Sequence, residues 1–415
     1  MVAIYKERLA RLREDMERVG LDALLSMHPI NQYYLTGTAQ YQILVVTKVA
    51  DPVILVKRNI ERARAESWLP DIRPLGDVRE DLVDLAREMD LRNRRIGIEF
   101  GLTTAAALKE TETILPSCHF VDSDGVWLHC RKIKQPEEIA KLRRAQSIVD
   151  EVHADMPQIL VEGAREVDVV AELDYRLKKL GSEAMPFFFG TGGRPMAWRA
   201  TTRLISGADG ATPTDYPVVG GAGLSPATPH GPSTKIIQPG EQFSIDIMAV
   251  VEGYHADSGR TYFVGEPSRR LRDMYMTALY AERVFIDGAR PGVVVGDLVK
   301  KVVSYVEARG YGDYFMGPRP HNSSVIGHGV GLYINEYPFV SASVREVLRP
   351  GMVIAVEPKV VVPEVGCVEV EDTVVITESG CELLSNAPKE LDEVILPAYG
   401  HDRSAFAEAA GFRTF

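Results

Sequence analysis

Cysteine is scarce in this chain, and its spacing argues against two common ways of stabilising a fold. Four cysteines occur among 415 residues, far apart, and no CxxC pair is present. Disulfide-rich domains and cysteine zinc sites both need several cysteines at short, regular spacing. We therefore expect neither a disulfide framework nor a cysteine zinc site at Cys118, Cys130, Cys367 and Cys381.

Positive charge and long apolar runs are also in short supply. Lysine and arginine number 47 against 58 acidic residues, which gives a formal net charge of -11. Non-specific binding to nucleic acid or to an anionic membrane requires a basic surface, so we expect neither partner. There is no run of about 18 apolar residues, and the charged start lacks the apolar segment of a signal peptide. We therefore expect a cytoplasmic protein without a membrane span.

Length and apolar content instead predict two globular domains. At 415 residues, with 45% hydrophobic side chains, the chain is too long for one ordinary core. An amphipathic helix pattern ends at Gly20, and short apolar runs then alternate with helical stretches, as in a small α/β domain. The polar, proline-containing segment 131–136 predicts a joint. We predict domains at 1–130 and 131–396 and a tail at 397–415.

The second domain is predicted to be α+β. A long amphipathic helix pattern covers 137–156, and later helical patterns are mixed with paired strand signals rather than regular βαβ units. The strand signals lie at 243–251, 254–264, 353–361 and 368–377. The aromatic segment 187–189 is either plain core or one wall of a substrate pocket. Its neighbouring glycines do not form GxGxxG after a strand, which argues against nucleotide binding.

Two aspartates occupy a predicted hairpin in this second domain. Asp246 lies in one alternating run and Asp257 in the returning run, with a turn at Glu252 and Gly253. Strand pairing would bring the two carboxylates close together, where they repel unless a cation lies between them. A divalent metal ion meets that need, and a surface hairpin with two solvated acids is the alternative.

A histidine and two glutamates follow in other strand-like segments. His328 stands between two glycines, which allow close backbone approach and suit a ligand. Glu357 ends one apolar run, and Glu371 lies in another, on the same predicted strand face as Glu369. Carboxylates on apolar strands are costly unless they are paired or bound to metal. An edge strand with its acids in water is the alternative.

In chain order these residues form the series Asp, Asp, His, Glu, Glu. With the local sequence around each of them, the series resembles the peptidase family of creatinase, aminopeptidase P, prolidase and methionine aminopeptidase. Segments 22–25 and 34–37, together with the joint at 131–139, resemble the creatinase and prolidase branch, so the resemblance covers nearly the whole chain. It implies a small α/β N-terminal domain followed by the family's "pita-bread" catalytic domain.

The resemblance also implies a centre of two divalent metal ions. Asp246 and Asp257 would bind the ions, with Asp257 and Glu371 as bridging ligands, and His328 and Glu357 would each hold one ion. Oxygen-rich ligation with one imidazole suits Mn²⁺, Co²⁺, Fe²⁺ or Zn²⁺. Glu357 would resemble the family's general base, which passes a proton to the leaving nitrogen.

Three further positions concern the substrate, and a fourth departs from the family pattern. His230 matches the family's substrate-side histidine, and a loop histidine without a role is the alternative. Asn335 stands where the peptidases have a histidine that steadies the oxyanion, and its amide can still donate a hydrogen bond. Glu369 replaces an arginine, which favours a cationic or hydrogen-bond-donating group on the substrate. Ser324 also replaces a histidine, and drift within a tolerant site is the alternative explanation of these three departures.

Three functions are compatible with these residues. The first is hydrolysis of Xaa-Pro bonds by a metal-dependent dipeptidase or aminopeptidase. The second is a hydrolase or lyase of a small non-peptide metabolite, which the departures at Asn335 and Glu369 favour. The third is a binding paralogue without catalysis, against which the five retained ligand positions count. The resemblance further implies a homodimer.

Overall fold

The structure of the chain is a computed structural model that describes residues 2–183, 202–208, 220–228 and 230–398. The chain divides into two compact units between Lys132 and Ile133. The aromatic segment 187–189 and the tail beyond residue 398 lie outside the described residues. The predicted α+β class, with an α/β first unit, is confirmed by the elements of the two units.

Six strands of the first unit form one mixed sheet. Its central strand, β1 (Ala23–Ser26), pairs antiparallel with β2 (Gln42–Thr47) and parallel with β5 (Arg95–Ile98). Every side chain of β1 is buried, which is usual for a strand covered on both faces. The other elements are β3 (Val53–Val56), β4 (Asp71–Pro74), β6 (His119–Asp122), α1 (Val2–Arg18), α2 (Pro29–Thr36), α3 (Ile60–Glu66), α4 (Val78–Glu88), α5 (Ala105–Ile114) and α6 (Asp124–Arg131). The sheet order is β4-β3-β2-β1-β5-β6.

The second unit opens with the predicted long helix. This helix, α7 (Pro136–Ala154), begins with a proline in its first turn and a capping box between Gln135 and Glu138, which together fix its start. No helix in the described ranges is both long and apolar enough to cross a membrane. The other helices are α8 (Met156–Ile159), α9 (Glu166–Leu180), α10 (Arg269–Gly288), α11 (Val295–Ala308) and a 3-10 helix at Gly312–Tyr314.

The strands of the second unit form three groups. The strands are β7 (Thr202–Ser206), β8 (Gln242–Val251), β9 (Tyr254–Val264), β10 (Val325–Gly329), β11 (Glu336–Ser341), β12 (Val353–Val356), β13 (Lys359–Val362), β14 (Gly366–Glu369), β15 (Asp372–Ile376), β16 (Cys381–Leu383) and β17 (Ile395–Leu396). One sheet has the order β17-β9-β8-β7, a second has the order β11-β10-β12-β15-β16, and β13 pairs with β14.

Two of the strands predicted from sequence are interrupted. The strand signals at 353–361 and 368–377 are each split into two short strands. Strand β12 ends just before Glu357 and Pro358, as predicted, whereas the prediction of one strand that carries both Glu369 and Glu371 is wrong. In the first gap, Pro358 has no N–H to donate to a ladder. In the second gap, the N–H of Glu371 donates to the carbonyl of Gly259 on the β8–β9 hairpin. The chain therefore passes from one sheet to another at both gaps.

The two gaps face each other. The β12–β15 and β13–β14 ladders keep one common register, so Glu357 lies opposite Glu371 although neither belongs to a strand. The predicted single strand with Glu369 and Glu371 on one face is therefore replaced by a strand end and a gap. The pairs that flank the gaps are Val356 with Asp372 and Lys359 with Glu369.

Strand β10 lies between β11 and β12, and its glycines make this close packing feasible. A Cβ on Gly327 would lie 2.2 Å from the carbonyl oxygen of Ala355, and one on Gly329 would lie 2.3 Å from that of Tyr337. These contacts are to backbone, so they cannot be relieved by a rotamer change. The glycines on either side of His328 therefore have a packing role.

Gly327→Ala should accordingly destabilise the second unit. We expect a loss of about 1–3 kcal/mol, the usual cost of overpacking a filled interior, seen as a lower melting temperature in calorimetry. Gly380→Ala is the matched control, because a Cβ there meets no atom within 4 Å. Equal melting temperatures for the two variants would contradict this account of β10.

Candidate metal centre

The β8–β9 hairpin brings the two aspartates onto one face. Its predicted turn at Glu252 and Gly253 is present, and both residues have positive φ, 48° and 78°, as a tight two-residue hairpin requires. Asp257 pairs with Met248, two positions from Asp246, so the two carboxylates are diagonal neighbours on the same side of the ladder. Both are buried.

His328 and Glu357 approach this pair from the five-stranded sheet. His328 on β10 pairs with Ala355 on β12, two residues before Glu357. The Nε2 atom of His328 lies 3.6 Å from Oδ2 of Asp257 and 3.5 Å from Oε1 of Glu357. One imidazole nitrogen thus faces a carboxylate on the β8–β9 hairpin and a carboxylate that directly follows β12.

Glu371, in the gap between β14 and β15, is the remaining member of the group. Its N–H donates to the carbonyl of Gly259, which anchors it against the hairpin. A Cβ on Gly259 would lie 2.9 Å from Oε2 of Glu371, so the missing side chain leaves room for this carboxylate. Donor atoms of Asp257, His328 and Glu371 all lie within 4.8 Å of one another.

The electrostatics of this group fit a divalent cation. Burial, with the nearby charges of Asp257 and Asp246, raises the pKa of Glu371 well above its ordinary value. Burial also lowers the pKa of His328, which keeps its imidazole neutral and able to coordinate. Oε2 of Glu371 has no hydrogen-bond partner among the described residues. Several buried carboxylates with an unsatisfied oxygen are costly without cations, and a divalent ion would relieve that cost.

A lysine that sequence reasoning missed lies beside the group. Nζ of Lys359 lies 2.5 Å from Oε2 of Glu357 and 3.1 Å from Oε2 of Glu369. Burial alone would lower the pKa of Lys359, but the carboxylates around it, led by Glu357, hold it well above its ordinary value. Its position two residues after Glu357, directly after the Glu-Pro pair, was the available signal.

Lys359 also bears on the predicted role of Glu369. The sequence predicts a cationic or hydrogen-bond-donating substrate group opposite Glu369. In the structure, Lys359 already supplies a cation to Glu369. A glutamate at this position is therefore explained without a cationic substrate. Its substrate-binding role stays a prediction.

The two other predicted substrate residues lie in loops. Asn335 is half-buried and directly precedes Glu336, whose carboxylate accepts the N–H of Tyr333 and pairs with Lys134 at 3.3 Å. That buried ion pair anchors the loop between β10 and β11. His230 is also half-buried, and it lies in the chain between β7 and β8. The substrate roles of both residues stay predictions.

A buried ion network surrounds Asp372, the residue that follows Glu371 in the chain. Asp372 contacts the guanidinium of Arg260, and Nζ of Lys389 lies 2.5 Å from Asp372 and 3.0 Å from Glu282. Burial alone would raise the pKa of Asp372, but Arg260 and Lys389 hold it below its ordinary value. The network fixes the start of β15 and thereby the backbone next to Glu371.

Known proteins resemble the chain along nearly its whole length. An Xaa-Pro dipeptidase of Pyrococcus furiosus is 30% identical over 93% of this chain and 99% of its own length. A solved Xaa-Pro dipeptidase from Bacillus anthracis superposes with a TM-score of 0.80 at 25% identity, covering 95% of this chain and 99% of that one. A prolidase from Pyrococcus horikoshii OT3 superposes with a TM-score of 0.77 at 28% identity, with 93% and 99% covered.

Two family models also match. Residues 8–133 match the creatinase/prolidase N-terminal domain, and residues 140–378, more than half of the chain, match metallopeptidase family M24. The predicted resemblance and its pita-bread fold are confirmed by these matches. The chain belongs to metallopeptidase family M24 and carries the creatinase/prolidase N-terminal domain.

Proposed function

We propose that this protein is a metal-dependent hydrolase of Xaa-Pro peptides. The proposal rests on the meeting of Asp257, His328 and Glu371 in one group, in which both carboxylates are buried and His328 is half-buried. Glu357 lies beside His328, and Asp246 lies next to Asp257 on the hairpin face. Oxygen and imidazole donors in this ratio suit a hard or borderline divalent ion. The Xaa-Pro class is supported by relatives named Xaa-Pro dipeptidase in Pyrococcus and Lactobacillus.

The proposed cofactor is a pair of divalent ions, Mn²⁺, Co²⁺, Zn²⁺ or Fe²⁺, held by the five ligand residues. Asp257, His328 and Glu371, whose donor atoms form one group, would hold the ions together with Asp246 and Glu357. Metal ions in such a site lower the pKa of a bound water and polarise the scissile carbonyl. A homodimer and a cytoplasmic location accompany this proposal as predictions.

The proposed chemistry of the chain's own residues starts at Glu357. Its carboxylate accepts the proton of the attacking water and transfers it to the leaving nitrogen. The amide of Asn335 donates a hydrogen bond to the carbonyl oxygen as negative charge develops there. His230 hydrogen-bonds the substrate or the leaving group.

An activity panel tests this function. The full-length protein, loaded with Mn²⁺ or Co²⁺, is assayed on Xaa-Pro dipeptides, longer Xaa-Pro peptides, and small amides and amidines. We expect cleavage of Xaa-Pro bonds, with the dipeptide and longer-peptide arms separating a dipeptidase from an aminopeptidase. Cleavage confined to the small amides would favour the non-peptide hydrolase instead. Metal-loaded protein that cleaves nothing would favour a binding protein.

Glu357→Gln should remove catalysis while the fold persists. Loss of a general base typically costs about 10²–10⁴-fold in rate, so we expect kcat to fall by at least about 100-fold. Glu378→Gln is the matched control, because Glu378 is exposed in the turn before β16. A Glu357→Gln variant with unchanged kcat would contradict the role of this carboxylate.

A further inference from the structure

A single buried glutamate joins three segments of the second unit. Glu166, the first residue of α9, is 2% exposed. Its Oε1 atom accepts the N–H of Ser206 at 3.1 Å and the hydroxyl of the same serine. Its Oε2 atom accepts the N–H of Ser233 at 2.9 Å and the hydroxyl of that serine at 2.8 Å. The carboxylate therefore ties the end of β7 and the segment around Ser233 to the start of α9.

These four hydrogen bonds explain how Glu166 tolerates burial. An ionised carboxylate is only an acceptor, with about four acceptor positions on its two oxygens. A buried carboxylate without donors is costly, and hydrogen bonds to its charged form offset that cost. Ser206 and Ser233 each donate through the backbone N–H as well as the hydroxyl. The carboxylate therefore holds the main chain of both segments and not only their side chains.

The segment that Glu166 holds also carries His230. Ser233 follows His230 by three residues, with Gly231 and a proline between them. The proline ring fixes one backbone dihedral of this short connection. The N–H of Gly231 donates to the carbonyl of Gly220 at 3.1 Å. His230 is therefore adjacent to one main-chain anchor and three residues away from the anchor at Glu166.

Main-chain hydrogen bonds strengthen the anchor at Glu166. The N–H of Glu166 donates to the carbonyl of Lys235, and the N–H of Val167 donates to the carbonyl of Ser233. Nζ of Lys235 donates to the hydroxyl of Ser206 at 2.8 Å, which links the segment after His230 to β7 a second time. The start of α9 and this segment are therefore held together through both main chain and side chains.

We propose that Glu166 is a positioning residue that holds His230 where it contacts the substrate. This inference rests on the proposed function, in which His230 hydrogen-bonds the substrate or the leaving group. Glu166 acts through the short connection between Ser233 and His230, so its contribution to catalysis requires the imidazole. A displacement of about 1 Å caused by a distant substitution can lower a rate by about 100-fold. Loss of the anchor should therefore reduce catalysis while the metal ligands stay in place.

Two variants weaken the anchor to different degrees. In Glu166→Gln, the amide has one acceptor oxygen instead of two, so one serine N–H loses its acceptor whichever way the amide turns. Ser233→Ala removes a single hydroxyl on the side of His230 and is the milder variant. Asp168→Asn is the matched control, because Asp168 lies in the same first turn of α9 but forms a solvent-exposed ion pair with Arg165.

The test is a double-mutant cycle on kcat/KM for an Xaa-Pro peptide, with the full-length protein loaded with Mn²⁺. Glu166→Gln should lower kcat/KM by at least about tenfold in the wild-type background. In the His230→Ala background it should lower kcat/KM by less than about twofold, because residues that act as a unit have non-additive effects. Ser233→Ala should follow the same pattern with a smaller loss, and Asp168→Asn should match the wild type. Bound manganese should be equal in all variants.

Other results would overturn the inference. Equal losses from Glu166→Gln with and without His230 would show that the glutamate supports the fold in general. An unchanged kcat/KM in Glu166→Gln, or in His230→Ala, would contradict the inference as well. Cleavage of Xaa-Pro bonds by the wild type would leave the proposed function standing in each of these cases. Absence of that cleavage would instead refute the proposed function, and this inference with it.

Discussion

Asp257→Asn is expected to abolish tight metal binding and to lower kcat/KM by roughly 10³-fold or more, because several kcal/mol of charge stabilisation by the metal are lost. Asp257 is the most central of the ligand candidates. It lies 3.6 Å from His328 and belongs to the same compact donor group as Glu371. Asparagine keeps the size of the side chain but removes its negative charge, so the effect reports on metal affinity rather than on packing.

The measurement for this prediction combines metal analysis of the dialysed protein with steady-state kinetics. Asp392→Asn is a suitable control, since Asp392 is an exposed aspartate of the same unit. The melting temperature of Asp257→Asn should rise less on addition of Mn²⁺ than that of the wild type, because ligand binding to the folded state stabilises it. A variant that retains full metal content and activity would show that Asp257 is not a ligand.

Asp372→Asn is expected to produce the largest loss of stability. Removing one partner of a buried ion pair typically costs about 3–5 kcal/mol, because the other charge is left buried and unpaired. Here two cations, Arg260 and Lys389, would lose their common carboxylate. Since Asp372 directly follows Glu371, metal affinity should fall as well.

Calorimetry of the metal-free protein checks this prediction without interference from metal binding. The control is Glu382→Gln, which removes an exposed ion pair with Arg143, where a change of at most about 1 kcal/mol is expected. The pH dependence has a defined sign. Because the pKa of Asp372 is depressed in the folded state, its contribution is present at neutral pH and is lost only as the pH falls below about 4. Equal melting temperatures for Asp372→Asn and wild type would contradict this role of the network.

The local parts of the site could be predicted from sequence because they depend on short-range rules. The alternating runs around Asp246 and Asp257, with a turn pair that tolerates positive φ, predict a tight hairpin, and the structure has it. The long helix after the joint could be predicted equally well, since proline and a capping box mark its start. These signals lie within a few residues of the features they determine.

The features that could not be predicted from sequence depend on contacts between segments that are distant in the chain. An apolar run resumes after Pro358, and the local pattern does not reveal that the chain changes sheets between β12 and β13. The second gap arises because the backbone of Glu371 bonds to the β8–β9 hairpin, more than 100 residues earlier. The ion pair of Lys359 with Glu369 depends on the register of β13 with β14, which no local pattern reveals.

We propose that five side chains, Asp246, Asp257, His328, Glu357 and Glu371, converge to hold divalent metal. A crystal grown with Mn²⁺, with diffraction recorded on both sides of the manganese absorption edge, tests it most directly. We predict anomalous difference density between Asp257, His328 and Glu371, within bonding distance of their donor atoms. Ordered side chains in the same positions, with no anomalous density among them at saturating Mn²⁺, would contradict the account.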